Sequence, residues 1–322
     1  MPYLLFAQPL RDLLEMDEQR RLKFLGAMIG SALGDAIGEL AFLNPEKGLL
    51  EDILSEIPEL CYTVDTAMAI GLAEAISQSA GIDERFLGDT FAANYFREPW
   101  RGYAAGPPAI FSAVKKEGTT YSDAAARMFK GMGSFGNGAA MRITPAALFF
   151  YDSEELYEQV SAASRVTHVH PVGVDGAAVL ALAISSALRF ESTEEFPFHD
   201  FMGSLIDFAR TAEIRKKLEQ VHDLFVSSAG PERAKGLLGS SVAVQESMPF
   251  ALYSFLSHRD SYEDCLFCAV LNGGDRDTIG AMACAVSGAY LGIEAIPWKW
   301  KEKLENRSYI EHLAFVLEDI IY

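Results

Sequence analysis

Cysteine is scarce: Cys61, Cys265, Cys268 and Cys284 are the four in 322 residues, too few for a disulfide framework. Cys265 and Cys268 have CxxC spacing, but no second such pair accompanies them and they lie in an apolar helical stretch, CLFCAVL. Core packing is therefore a better reading than half a zinc site or a redox pair, and a reducing, cytoplasmic setting is expected. Positive charge is short as well: 27 Lys and Arg face 45 Asp and Glu, a net charge of −18. A nucleic-acid binder normally shows a basic face, so DNA or RNA is not expected as a partner. A phosphate-bearing substrate would need local help from a metal ion or from backbone N–H groups. No run approaches the ~18–20 uninterrupted apolar residues that span a membrane, so no membrane partner is expected. The opening MPYLLF lacks a basic segment before its short apolar stretch and does not read as a signal peptide. Alternating β-branched and aromatic runs are rare, and both Asn-Gly pairs, at 137–138 and 272–273, lead into helix-like segments.

What the chain has is helical periodicity. Apolar and small residues recur at three- and four-residue steps through 19–37, 64–80, 86–97, 122–130, 154–165, 173–190, 200–226, 241–257, 262–271, 277–291 and 308–321. With half the residues hydrophobic, the reading is an all-α fold, one domain over 1–322, with 227–240 as a loose surface connection. Gly26, Gly30, Gly34 and Gly38 fall four residues apart, and Ala281, Ala285, Ser287, Gly288, Ala289 and Gly292 form a second small-residue stretch. Glycine inside a helix costs ~1 kcal/mol against alanine, so such runs predict two central helices with closely approaching backbones.

Polar clusters interrupt this apolar pattern. Thr63-Val64-Asp65-Thr66 and Gly273-Gly274-Asp275-Arg276-Asp277-Thr278 each put Asp and Thr at the start of a helix. Taken singly they suit N-capping. Taken together, their hard oxygens suit Mg²⁺ or Ca²⁺ if the two helices converge. The glycine-rich stretch 131–142 could offer backbone N–H groups to a phosphate. In Thr167-His168-Val169-His170-Pro171, a histidine is expected to hydrogen-bond a ligand or cap the following helix rather than bind a soft metal.

In this order and spacing, GAMIGSALGDAIG (26–38), YTVDTAMAIGLAEA (62–75), GSFGNGAAMRITP (133–145), THVHPVGVDGAA (167–178) and NGGDRDTIGAMACAVSGAYLG (272–292) resemble the ADP-ribosylglycohydrolase (DraG-like) family. RGYAAG (101–106), GSFGNG and QESMPFALYSFL (245–256) look most like its serine-linkage subgroup. The resemblance implies a compact orthogonal helix bundle, a monomer, a binuclear Mg²⁺ centre and an ADP-ribose cleft. It also implies hydrolysis of the ribose C1″ bond of an ADP-ribosylated substrate through an oxocarbenium-like transition state. By position, Thr63, Asp65, Asp275, Asp277 and Thr278 match the metal ligands. Asp35 matches the motif acid near ribose and metal. Gly133, Ser134, Phe135, Gly136, Asn137 and Gly138 match the diphosphate and distal-ribose loop, with Phe135 walling the adenosine. His168 matches the ligand-contacting histidine.

Three departures fall at the chemistry. Val64 stands for an aspartate, Phe42 for a metal-binding loop glutamate that serves as acid/base, and Arg276 for a threonine. With two carboxylates fewer and one guanidinium more, charge counting leads to one Mg²⁺ or none, with Arg276 turned inward to pair with Asp65 or Asp275 as a metal substitute. Glu39 could swing in from a loop to replace the missing glutamate, joining Asp35, Asp65 and Asp277 as candidate catalytic groups. The readings that stay open are an active hydrolase with a reduced Mg²⁺ centre, an ADP-ribose-binding pseudoenzyme, and a different metal hydrolase, such as a pyrophosphohydrolase using Glu191, Glu194 and Glu195.

Overall fold

The glycine steps explain the centre of the molecule. A computed structural model describes the backbone of residues 7–321 and the side chains of residues 18–321; the opening MPYLLF lies outside the described residues. Eighteen α-helices and two short 3₁₀ turns make up the described chain, which contains no strand beyond two isolated bridges, Leu60 with Leu304 and Gly136 with Ala243. Five helices build the site: α1 (Ala7–Leu43), α2 (Val64–Ser79), α3 (Pro171–Arg189), α4 (Val244–Ser257) and α5 (Arg276–Leu291).

Helices α1 and α5 run antiparallel and touch backbone to backbone. A Cβ added at Gly26 would lie 2.3 Å from the Gly288 oxygen, at Gly30 2.7 Å from that of Cys284, at Gly34 2.2 Å from that of Gly280, and at Gly38 2.5 Å from that of Arg276. The two small-residue stretches are thus two sides of one contact, and it sets Asp35 of α1 beside Asp277 at the start of α5. Helices α2, α3 and α4 pack around this pair in one continuous apolar core that also takes in Cys265, Cys268 and Cys284.

Several boundaries differ from the sequence expectations. Two helices are long and apolar enough to cross a bilayer, over 18–43 and 171–189, where no such span was expected; 89% of each apolar window is buried within the protein. The periodic run 200–226 is two helices, Phe198–Phe208 and Ala212–Val226. Buried Asp175 of α3 breaks it by accepting from the Arg210 and Thr211 amides and the Thr211 hydroxyl. The stretch read as a loose connection contains the helix Pro231–Leu238, opened by a proline and closed by Gly239 at φ +83°.

Candidate functional site

The two acid-bearing turns do converge, and neither acts as an N-cap. Thr63 and Asp275 occupy the N-cap positions of α2 and α5, yet neither side chain bonds its own helix. The Thr63 hydroxyl donates instead to Asp35 Oδ1 at 2.7 Å and the Thr66 hydroxyl to Asp35 Oδ2 at 2.6 Å, while the amides of Thr63 and Thr66 donate to the same carboxylate at 3.0 Å. Asp35 is fully buried and both its oxygens are engaged, so it fastens the first turn of α2 to α1 rather than facing a ligand. The approach to this turn is fixed from outside. Arg101, from the RGYAAG stretch, pairs with both oxygens of Glu305 at 2.7 and 2.8 Å and donates to the Tyr62 carbonyl.

Asp65, one residue after Val64, is the least compensated charge of this arrangement. It is buried, its Oδ2 has no hydrogen-bond partner, and burial together with Asp35, Asp277 and Asp275 holds its carboxyl well above the usual range, against a bond from Thr278. Asp277 is pushed up to about 7, first by burial and then by Asp275, Asp35 and, more weakly, Glu39. The helix starts of α2 and α5 offset part of this repulsion through their dipoles. Among the described residues, no three His, Cys, Asp or Glu side chains close on one point tightly enough to hold an ion by themselves. The donor set nevertheless fits a hard cation: an orphaned buried carboxylate oxygen, two neighbouring carboxylates and the Thr278 hydroxyl, with no protein cation among them.

Arg276 is not that cation. Its guanidinium turns away and donates to the Val270 carbonyl, and it makes no ion pair with Asp65 or Asp275 among the described residues. The physical reason is placement: with Gly38 pressed against the Arg276 carbonyl and Asp277, the side chain leaves α5 on the side of the preceding helix, away from the acids. Glu39 is also placed differently from expectation. Helix α1 continues to Leu43, so Glu39 and Phe42 are helical rather than on a mobile loop, and both are exposed at the rim. Glu191, Glu194 and Glu195 are exposed on a turn outside this cluster, where Glu191 pairs with the buried Lys23 ammonium at 3.9 Å.

The glycine loop joins the same site through Asn137. Its amide Nδ2 donates to Asp275 Oδ2 at 2.6 Å and to Ser247 Oγ of α4 at 3.1 Å. The loop backbone is less free than expected, because the amides of Gly133, Gly136 and Asn137 are taken by Met128 O, Ser134 Oγ and Val242 O. Gly138 lies against the His168 ring, Gly173 lets the Ser134 carbonyl sit on the first turn of α3, and Phe135 stands half exposed, edge-on to His170. Of the two histidines, His170 caps α3 by accepting from the Val172 amide, and His168 is buried against the loop. Sequence reasoning takes in Thr66 only as part of the Thr63–Thr66 turn and gives Ser247 and Arg142 no role; in the fold Thr66 holds Asp35, Ser247 holds Asn137, and Arg142 holds Thr167 beside His168.

The family model for ADP-ribosylglycohydrolase matches residues 16–321. This chain belongs to the ADP-ribosylglycohydrolase family. Among the relatives of this glycohydrolase-family chain, ADP-ribosylhydrolase ARH3 of Bos taurus is 29% identical over 91% of this chain and 91% of its own length. The Xenopus tropicalis ADP-ribosylhydrolase ARH3 is 30% identical over 88% and 91%. A solved structure described as an ADP-ribosylglycohydrolase-related protein complex superposes with a TM-score of 0.73 at 24% identity, covering 95% of this chain and 100% of that one, which shows the same fold.

A pH dependence follows from Asp277. Its carboxyl sits near 7 in the fold and near the ordinary 3.8 when unfolded, so the folded form binds the extra proton in between. Stability of the cation-free protein is therefore greatest below about pH 4–5 as far as this group is concerned, falls as pH rises toward 7, and levels off above it. Thermal unfolding in EDTA is expected to give a lower Tm at pH 8 than at pH 5.5, and Asp277→Asn is expected to shrink that difference, leaving the part that belongs to Asp65.

Proposed function

We propose that this glycohydrolase-family chain binds an ADP-ribosyl conjugate between the glycine loop and the Asp65–Asp275–Asp277 cluster and hydrolyses its C1″ bond with the help of one divalent cation, Mg²⁺ by its oxygen donors. The observation that carries this reading is the orphaned, buried Asp65 Oδ2 among mutually repelling carboxylates, tied by Asn137 to the loop. A cation held there by Asp65, Asp275, Asp277 and the Thr278 hydroxyl would neutralise the acids and polarise ribose hydroxyls and a water. The chain's own part is orientation and proton handling. Asp35 holds the α2 turn, Asn137 sets loop against acids, and Glu39 at the rim is the carboxylate left open to solvent for drawing a proton from water. Positive charge developing at C1″ would be stabilised by the surrounding carboxylates.

Calorimetric titration of ADP-ribose with Mg²⁺ and again with EDTA tests binding. Affinity that requires Mg²⁺ supports the reading, and absence of binding in both overturns it. Turnover of serine-, arginine- and nucleic-acid-linked ADP-ribose would then assign the linkage. Glu39→Gln is expected to lower kcat about 10²-fold or more with little change in ADP-ribose affinity, the size ordinarily lost with a general base. A second reading, a binder without turnover, is favoured by one feature: helix α1 runs through Phe42, so that no loop carboxylate stands there. If wild type binds but does not turn over, and Val64→Asp with Phe42→Glu strengthens Mg²⁺ binding, that second reading holds.

A further inference from the structure

Arg142 is fully buried and makes no ion pair among the described residues. Its Nη2 donates to Thr167 Oγ1 at 2.8 Å and to the Ala163 carbonyl at 3.2 Å, its Nη1 lies 3.6 Å from Met68 Sδ, and its guanidinium lies 4.7 Å above the Phe91 ring. Thr167 Oγ1 has one other partner, His168 Nδ1, at 2.7 Å. Arginine only donates, so the Thr167 oxygen accepts from it. The hydroxyl hydrogen then has Nδ1 as its acceptor; were Nδ1 protonated instead, that buried hydrogen would be left without one. The ring proton consequently belongs on Nε2. This is an assignment from the network of partners.

The Nε2 edge faces the glycine loop. A Cβ on Gly138 would lie 3.1 Å from Nε2, and one on Gly136 3.7 Å. Nε2 has no protein acceptor among the described residues. Burial, followed by the Arg142 charge, pushes the imidazole down to about 3, so the ring stays neutral around pH 7.

We infer that Arg142 and Thr167 are positioning residues that fix His168 as an Nε2–H donor, aimed past Gly136 and Gly138 at an acceptor oxygen of the bound nucleoside-diphosphate sugar. The chemistry it would take is a ribose hydroxyl or phosphate oxygen, and the inference rests on the ADP-ribose reading above for its ligand but not for its geometry. The glycines have a matching reason: a side chain at 138 would overlap the ring and close the space in front of the donor.

The test is two-bond ¹H–¹⁵N correlation NMR of the full, ligand-free chain with labelled histidine, His168 being assigned by the signal lost in His168→Asn. The expected wild-type pattern is the Nε2–H tautomer. Thr167→Ser is expected to keep that pattern and to bind ADP-ribose within about twofold of wild type. Thr167→Val is expected to lose it and to weaken binding about tenfold, the size of one hydrogen bond to a ligand. A merely structural threonine would lower the Tm of Thr167→Val without moving the tautomer. A wild-type spectrum showing Nδ1–H overturns the inference even if Thr167→Val fails to fold, as does an unchanged tautomer in a folded Thr167→Val. An Nε2–H spectrum in a protein that binds no ADP-ribose leaves the relay standing and overturns the functional reading instead.

Discussion

Gly34→Ala is expected to destabilise the protein by at least about 3 kcal/mol, or to prevent folding. An alanine in the middle of a helix ordinarily gains ~1 kcal/mol over glycine. Here the added methyl would sit 2.2 Å from the Gly280 oxygen and 2.4 Å from its carbonyl carbon, and both belong to rigid helical backbone. The overlap therefore outweighs the propensity. Gly203 provides the control: it lies inside the Phe198–Phe208 helix, and a Cβ there meets nothing within 4 Å. Gly203→Ala is expected to raise stability by roughly 0.5–1 kcal/mol. Urea unfolding of the two variants beside wild type checks both signs. Equal behaviour of the two would mean that α1 and α5 are not in backbone contact.

Asp65→Asn is expected to do what few buried substitutions do, namely stabilise the cation-free protein while removing the proposed hydrolysis. The replaced carboxylate is buried, lacks a partner at Oδ2 and is crowded by Asp35, Asp277 and Asp275. Removing its charge relieves that repulsion, and the amide still accepts from Thr278. In EDTA at pH 8 the gain should be on the order of 2 kcal/mol, seen as a Tm several degrees higher. The same variant should lose any Tm increase that wild type shows on adding Mg²⁺, and hydrolysis should fall about a hundredfold or more. A lower Tm in EDTA would show that Asp65 is satisfied in a way the geometry does not suggest.

The centre of the fold was readable because glycine at four-residue steps has few uses inside a helix other than close approach. Gly26, Gly30, Gly34 and Gly38 each meet α5 or the residues that follow it. Convergence of the two acidic turns followed from that contact. Side-chain direction did not. Arg276 and Asp277 are neighbours, yet one faces the Val270 carbonyl and the other the acids, because helical phase separates adjacent residues by about 100°. Nor could the sequence say that α1 would continue to Leu43, since an apolar Ala41-Phe42-Leu43 end suits a helix and a loop equally. The division of 200–226 was hidden for another reason. It is imposed by Asp175, distant in sequence, which competes for the amides of Arg210 and Thr211. Asp35, read from the motif as a group near the chemistry, lies beside Asp65 and Asp277 with both oxygens taken by α2, and that occupation is what only its partners could tell.

The glycine contact between α1 and α5 has a temporal consequence. Two helices joined backbone to backbone, with no side-chain layer between them, have no cushion to compress and no rotamers to exchange, so they open together or not at all. Active sites commonly draw on the least stable parts of a protein, but here the floor bearing Asp35 and Asp277 belongs to its slowest part. On the proposed function, the motion that admits the conjugate and lets the product leave belongs to the wall, where Phe135 and the glycine loop stand.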